Sequence, residues 1–301
     1  MVSNLQPTAQ EFLNNINRIS TQMTEAQTQL STGLRVNVVS DSPDVISPLL
    51  QAQAKLSTAQ QIGSNLGQVS TEVNTGEQAL ESATSLYDQV QTLSAEGATG
   101  TQTASGRAGI AKQLQSIEQQ LVGLANTNVN SRSIFAGDTD QVQPYTFDST
   151  QTDPVSAYQG SASTRTVQSP NGTTFPVALT AQQIFDSSDP ATNVFTSINN
   201  MVAALTSNDQ TAISAANSAL PGVSTYLNSQ LAFYGTAQAA VSAATTSAST
   251  LVTQLKTQIS GMQDADEAQS ILSLTQAQTE QQAALQSFQQ IPRTSLFDFL
   301  G

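Results

Sequence analysis

Residues 62–90 read IGSNLGQVSTEVNTGEQALESATSLYDQV. In that stretch Ile62, Leu66, Val69, Val73, Gly76, Leu80, Ala83, Tyr87 and Val90 recur in alternating steps of four and three. An unbroken run of that spacing predicts a long helix with one narrow apolar seam. The positions between are filled by Gln, Ser, Thr and Asn more than by charge, so the other faces are polar but largely uncharged. Such a helix cannot stand alone in water and needs a long partner.

That partner is expected downstream, where Leu227, Leu231, Tyr234, Gln238, Val241, Thr245, Ala248, Val252, Leu255, Ile259 and Met262 repeat the rhythm. A helix from Pro221 to Met262 would be about 60 Å long at ~1.5 Å rise per residue. Between the two seams, Ile110, Leu114, Ile117, Leu121 and Leu124 mark a third helix after a Gly97–Gly100 loop, and Val194, Ile198, Met201 and Leu205 a shorter fourth. Ile62, Leu66, Val69, Val73, Leu80, Tyr87, Leu227, Leu231, Tyr234, Val241, Leu255 and Ile259 are the expected core of this rod.

Both chain ends carry weaker seams. Phe12, Ile16, Ile19, Met23, Ala26 and Leu30 form one, and Ile271, Leu274, Ala277, Ala284, Leu285 and Phe288 the other, before Pro292 and a short apolar tail of Leu296, Phe297, Phe299 and Leu300. Of these, Phe12, Ile16, Ile19, Met23, Leu30, Ile271, Leu274, Leu285 and Phe288 are the candidate assembly residues. Short isolated helices of this kind are marginal in water, so both are expected to be unfolded or fraying in the free subunit and to become ordered only on assembly. The stretch from Asn37 to Pro48, with Asp41, Ser42 and two prolines, reads as a breaker followed by a new helix start.

The pattern changes between Gly137 and Pro190, where prolines, the pair Asn171-Gly172 and the alternating runs Thr164 to Val167 and Thr173 to Leu179 predict hairpins. These hairpins are expected to close on themselves, leaving a small β-rich insertion separable from the rod. The expected fold is therefore mainly α: a long antiparallel helical rod with terminal coiled-coil helices and a small β-rich inserted domain. The domains are drawn as 1–42 with 262–301, 43–137 with 191–261, and 138–190.

Composition narrows the function. The 301 residues carry a net charge of −13 yet only 10% are charged, and nine scattered Lys and Arg make no basic face for nucleic acid. Neither Cys nor His is present, which removes thiol nucleophiles, imidazole bases, disulfides and the usual zinc ligands. Asp264, Asp266 and Glu267 lack the loop glycine and ligand spacing of a calcium site and read as a helix start. No catalytic residue, cofactor or metal is assigned. No apolar run reaches the ~20 residues of a membrane span, and the first thirty residues lack the basic and apolar regions of a cleaved signal.

Leu30-Ser31-Thr32-Gly33-Leu34-Arg35-Val36-Asn37 with Ser40-Asp41-Ser42-Pro43 resembles the N-terminal signature of the bacterial flagellin superfamily. Asp264-Ala265-Asp266, Gln276-Ala277-Gln278 and Gln281-Gln282-Ala283 resemble its C-terminal one. Asn130-Ser131-Arg132-Ser133-Ile134-Phe135-Ala136-Gly137 is similar to the hook–filament junction family within it, although Ser131 and Ser133 stand where that family more often has Gly and Tyr. Gly33, Arg35, Asn37, Asp41, Phe135 and Gly137 carry the motif.

The resemblance implies a structural subunit of the flagellum that pairs its terminal helices in a tube, polymerises with itself, and meets another hook-associated protein on one side and flagellin on the other. It also implies a cytosolic export chaperone and export without a cleaved signal to an extracellular position. A filament flagellin with a small outer domain is the second reading. From other classes, a secreted adhesin with a helical stalk is a third. A hydrolase in the insertion is disfavoured, because that segment holds no His, Cys or Glu for acid–base work.

Overall fold

A computed structural model of the chain describes residues 7–289, with side chains from residue 10. The apolar tail of Leu296, Phe297, Phe299 and Leu300, and Pro292 before it, lie outside the described residues. The fold is mainly α, with seven helices and two small antiparallel sheets among the described residues. The order is α1 (Pro7–Thr32), α2 (Pro43–Ala98), α3 (Ala104–Ala125), β1 (Asn128–Val129), β2 (Arg132–Ser133), β3 (Thr166–Gln168), β4 (Thr174–Pro176), α4 (Ala181–Phe185), α5 (Val194–Ser207), α6 (Gln210–Gln263) and α7 (Glu267–Gln289). Two compact units emerge, one of residues 1–58 with 252–301 and one of residues 59–251.

In the second unit the 62–90 seam is buried as its period requires, with Leu66, Val73, Leu80, Ala83, Tyr87 and Val90 at 1% exposure or less. Its partner is α6. Gly63 faces Ala248, Asn74 accepts a hydrogen bond from the Gln238 amide at 2.8 Å, and Gly76 lies under Tyr234. These pairs descend one helix as they climb the other, so α2 and α6 run antiparallel. Leu227 and Val241 are buried on the same line, while Ile62, Val69 and Leu231 pack at its half-buried edge.

One helix start differs from the sequence reading. α6 begins at Gln210 and carries Pro221 inside it. The Asp209 carboxylate accepts the Thr211 and Ala212 N–H groups, a helix cap, and buried Ile213, Leu220, Val223 and Leu227 carry the apolar stripe across the proline. Packing on both sides thus offsets the lost backbone bond. α2 starts at Pro43, within the stretch where a new helix was expected and in the first-turn position proline favours, and continues through Pro48.

The segment 138–190 also departs from expectation. Its regular strand is the β3–β4 hairpin, closed at Asn171-Gly172 with Gly172 at φ +89°, together with one isolated bridge from Phe147 to Val155. The segment does not close on itself. Tyr145, Val155, Val177, Ile184 and Phe185 join the same core as the helices, with Tyr145 edge-on to Phe195 at 5.3 Å and Phe185 stacked on Phe195 at 5.9 Å. Isolated aromatics without a period gave no warning of this.

Candidate assembly surface

In the first unit α1 and α7 pack along each other. The Phe12 and Phe288 rings stack with centroids 4.1 Å apart, and the Ser270 hydroxyl donates to the Gln29 side chain at 3.0 Å, which fixes an antiparallel register. Ile19, Ala26 and Ala277 are buried in the seam, and Phe12, Ile16, Met23, Leu30 and Leu274 are half-buried along it. Small alanines let the helices approach but leave a polar groove of about 290 Å³ beside them, walled by Glu25, Gln29, Gln276 and Glu280. Leu255 is buried and Ile259 half-buried on the α6 segment of this unit.

Two of the α7 candidates, Ile271 and Leu285, sit elsewhere than the seam, and Phe288 lies at its exposed end against Phe12. Ile271 is 55% exposed, Leu285 48% and Phe288 37%. Ser270, one position earlier than Ile271, takes the inward place because its hydroxyl has Gln29 to bond, and the weak stripe of α7 left the choice of face open.

The motif residues build the turn that joins these helices. Gly33 ends α1 at φ +71°, a left-handed cap conformation that costs a Cβ-bearing residue, while its N–H reaches the Gln29 carbonyl at 2.8 Å. The chain then lies against the α6–α7 junction: Leu34 bridges Asp264, the Arg35 N–H donates to the Gln263 carbonyl at 2.7 Å, and the Ala265 N–H to the Gly33 carbonyl at 2.9 Å. The Arg35 guanidinium donates to the Met262 carbonyl at 2.8 Å, placing a cation at the C-terminal end of α6 where the helix dipole favours one. Asp266 accepts the Gln269 N–H and caps α7. Val36 is buried below the turn.

Asn37 and Asp41 close the following loop. The Asp41 Oδ2 accepts the N–H groups of Asn37 and Val38, both at 2.8 Å, and the Asn37 amide donates to the Leu34 carbonyl at 2.8 Å. This bracing points Val38 and Val39 outward, 57% and 68% exposed.

Phe135 and Gly137 belong to the other unit and act in folding. Phe135 is fully buried against Tyr234, and its carbonyl accepts the Ala181 N–H and the Tyr158 hydroxyl. Gly137 sits at φ +66°, and a Cβ there would come within 2.7 Å of the Ser163 carbonyl oxygen.

Three features escaped the sequence reading. Val38, Val39, Leu13, Leu50 and Leu272 are large exposed apolar side chains outside the seams, and the signal was a β-branched pair inside a segment of turn-forming residues. Arg107 is buried and donates to the Gly97 and Thr99 carbonyls and to Asn208 and Gln210, clasping the α2 end to the α5–α6 junction. Glu118 is fully buried on the apolar face of α3, its carboxylate without a hydrogen-bond partner; burial, reinforced by the Asp153 charge, raises its pKa from 4.5 to about 8. Among the described residues two ion pairs occur, Arg132–Asp140 and Arg165–Glu72, and neither lies in the first unit.

Residues 2–140 match the family model described as the bacterial flagellin N-terminal helical region. Flagellar hook-associated protein 3 of Salmonella typhimurium is 28% identical over 294 residues, covering 89% of this chain and 90% of that protein. A flagellin of Clostridium tyrobutyricum is 25% identical over 138 residues, 46% of this chain and 37% of its own length. The crystal structure of flagellar hook associated protein-3 from Legionella pneumophila superposes with a TM-score of 0.62 at 10% identity, over 70% of this chain and 98% of that one, a likeness of fold. The chain resembles the bacterial flagellin superfamily, and within it hook-associated protein 3.

Proposed function

We propose that this flagellin-like chain is a structural subunit of the bacterial flagellum at the hook–filament junction, polymerising through its terminal helices and adapting hook to filament. The observation that carries the assembly reading is a segregation of surface. Of the nine large apolar side chains exposed among the described residues, eight lie in the unit built from the chain ends, and Val142 alone lies in the other. Apolar side chains concentrated on one unit mark an interface that the isolated chain leaves wet.

The junction position is favoured over a filament flagellin because the likeness to hook-associated protein 3 runs nearly end to end, whereas that to flagellin stops at less than half of either chain. In this reading the chain's partners are copies of itself, another hook-associated protein toward the hook, flagellin toward the filament, and a cytosolic chaperone before export. It acts outside the cell, reaches that place without a cleaved signal, inserts in no membrane, binds no nucleic acid and catalyses no reaction.

Electron microscopy of a strain lacking the gene tests this. Hooks without filaments, with flagellin released to the medium and filaments restored by the intact gene, are expected. Normal filaments in the deletion strain would overturn the reading in favour of one flagellin among several, and binding of the purified chain to host glycans would favour an adhesin.

A further inference from the structure

We propose that Asn171 is a self-modification site: attack by the Gly172 backbone nitrogen on its side chain converts it, through a cyclic imide, to aspartate and isoaspartate. The inference is independent of the assembly reading and concerns the tip of the β3–β4 hairpin.

Pro170, Asn171 and Gly172 close this hairpin. The Ser169 N–H donates to the Thr173 carbonyl at 2.8 Å and the Gly172 N–H to the Ser169 carbonyl at 2.9 Å, with Gly172 in the left-handed region at φ +89°. Asn171 and Gly172 are exposed, and a Cβ on Gly172 would meet no described atom within 4 Å, so a ring formed between the two has room. The Asn171 Oδ1 accepts both the Thr173 N–H at 3.1 Å and the Thr173 hydroxyl at 2.7 Å. Two donors on that oxygen hold the side chain back over the turn and draw electron density from Cγ, the atom attacked. Of the chain's asparagines, Asn171 alone precedes a glycine, the residue that leaves the attacking nitrogen least hindered.

The chemistry balances with water alone. The Gly172 N–H gives its proton to hydroxide, the nitrogen forms a bond to Asn171 Cγ, and the side-chain nitrogen takes up a proton and departs as ammonia, closing the imide. Water then adds to one of the two imide carbonyls and breaks that carbonyl's bond to nitrogen, giving aspartate or, with the chain rerouted through the side chain, isoaspartate. No group is oxidised or reduced. In the closed turn the nitrogen's proton is committed to the Ser169 carbonyl, so opening of the hairpin gates the reaction, and a two-stranded sheet of short strands is held together weakly. Either product adds a carboxylate to the tip. Isoaspartate also adds a methylene to the main chain, which displaces the Ser169–Gly172 bond and loosens the facing pair Val167 and Phe175 that packs against the core.

The test is to hold the purified full chain at neutral pH and physiological temperature and to sample it over weeks by peptide mapping with mass spectrometry. Conversion at Asn171 about tenfold or more faster than at any other asparagine is expected, with isoaspartate in excess of aspartate and a rate that rises with hydroxide. Asn171 converting no faster than the other asparagines would overturn the site, and aspartate without isoaspartate would overturn the imide route. A free peptide of residues 165–177 should convert several-fold faster than the folded chain, because it lacks the closed turn; equal rates would overturn the gating by the hairpin. Asn171→Gln, with unchanged circular dichroism, should stay unmodified in this segment over the same period. Gain of the same mass there at the parent's rate would overturn the assignment.

Discussion

Tyr234 closes over Gly76 so tightly that a Cβ on Gly76 would come within 2.5 Å of its ring carbon Cε1. The tyrosine hydroxyl accepts the Leu179 N–H at 3.2 Å, and its ring meets Phe135 edge-on, so one side chain joins α2, α6 and the 138–190 segment. Gly76→Ala should therefore displace the ring and lower stability by about 1–3 kcal/mol, as overpacking of a core does. Chemical denaturation followed by circular dichroism checks this; a midpoint equal to the parent's would mean the ring has room to move.

Glu118 predicts a dependence on pH. Its folded-state pKa, pushed up to about 8 by burial, exceeds its ordinary 4.5, so the folded chain holds a proton that the unfolded chain releases between those values. Stability is then unpenalised below about pH 4.5 and falls as pH rises toward 8. Glu118→Gln removes the ionisation and should match the parent at pH 4 but exceed it by about 4–5 kcal/mol at pH 8.5. Parallel pH–stability curves for the two proteins would refute the burial argument.

The β1–β2 turn is strained at a nameable residue. Asn130 and Ser131 both have positive φ, at 51° and 63°, the geometry of a two-residue hairpin turn that favours glycine in its second position. Ser131→Gly should raise stability by about 0.5–1 kcal/mol by relieving that backbone. A destabilised variant, measured by thermal melting, would show that Ser131 makes a contact worth more than the strain.

Arg35 should matter to one unit and not the other. Removing the guanidinium in Arg35→Ala leaves the Met262 carbonyl and the end of α6 without their cation, at a cost of about 1–2 kcal/mol. Hydrogen exchange should quicken in residues 30–40 and 260–270 and stay unchanged in 80–125. Uniform quickening through the chain would contradict this local role.

The seams were legible because period is a local property. Leu66, Val73, Leu80 and Tyr87 announce their burial by spacing alone, and Asn171-Gly172 announces its turn by backbone preference. What was not legible depends on a second element. Pro221 reads as a boundary until Ile213 and Leu220 are seen buried on either side of it. Ile271 reads as a seam residue until Gln29 is found bonding Ser270 instead. Tyr145 and Phe185 look like insertion residues until Phe195 stands between them. In the assembly surface the seam residues were readable, whereas Val38 and Val39 were not, because their exposure is set by Asp41 across the loop.

The central claim is that this chain is a junction subunit, and its position on the flagellum tests that claim most directly. Immunogold labelling of intact hook–filament complexes, with antibody raised against the unit of residues 59–251, should place gold in a single narrow band where hook meets filament. Gold spread along the filament, or absent from flagella altogether, would contradict the account.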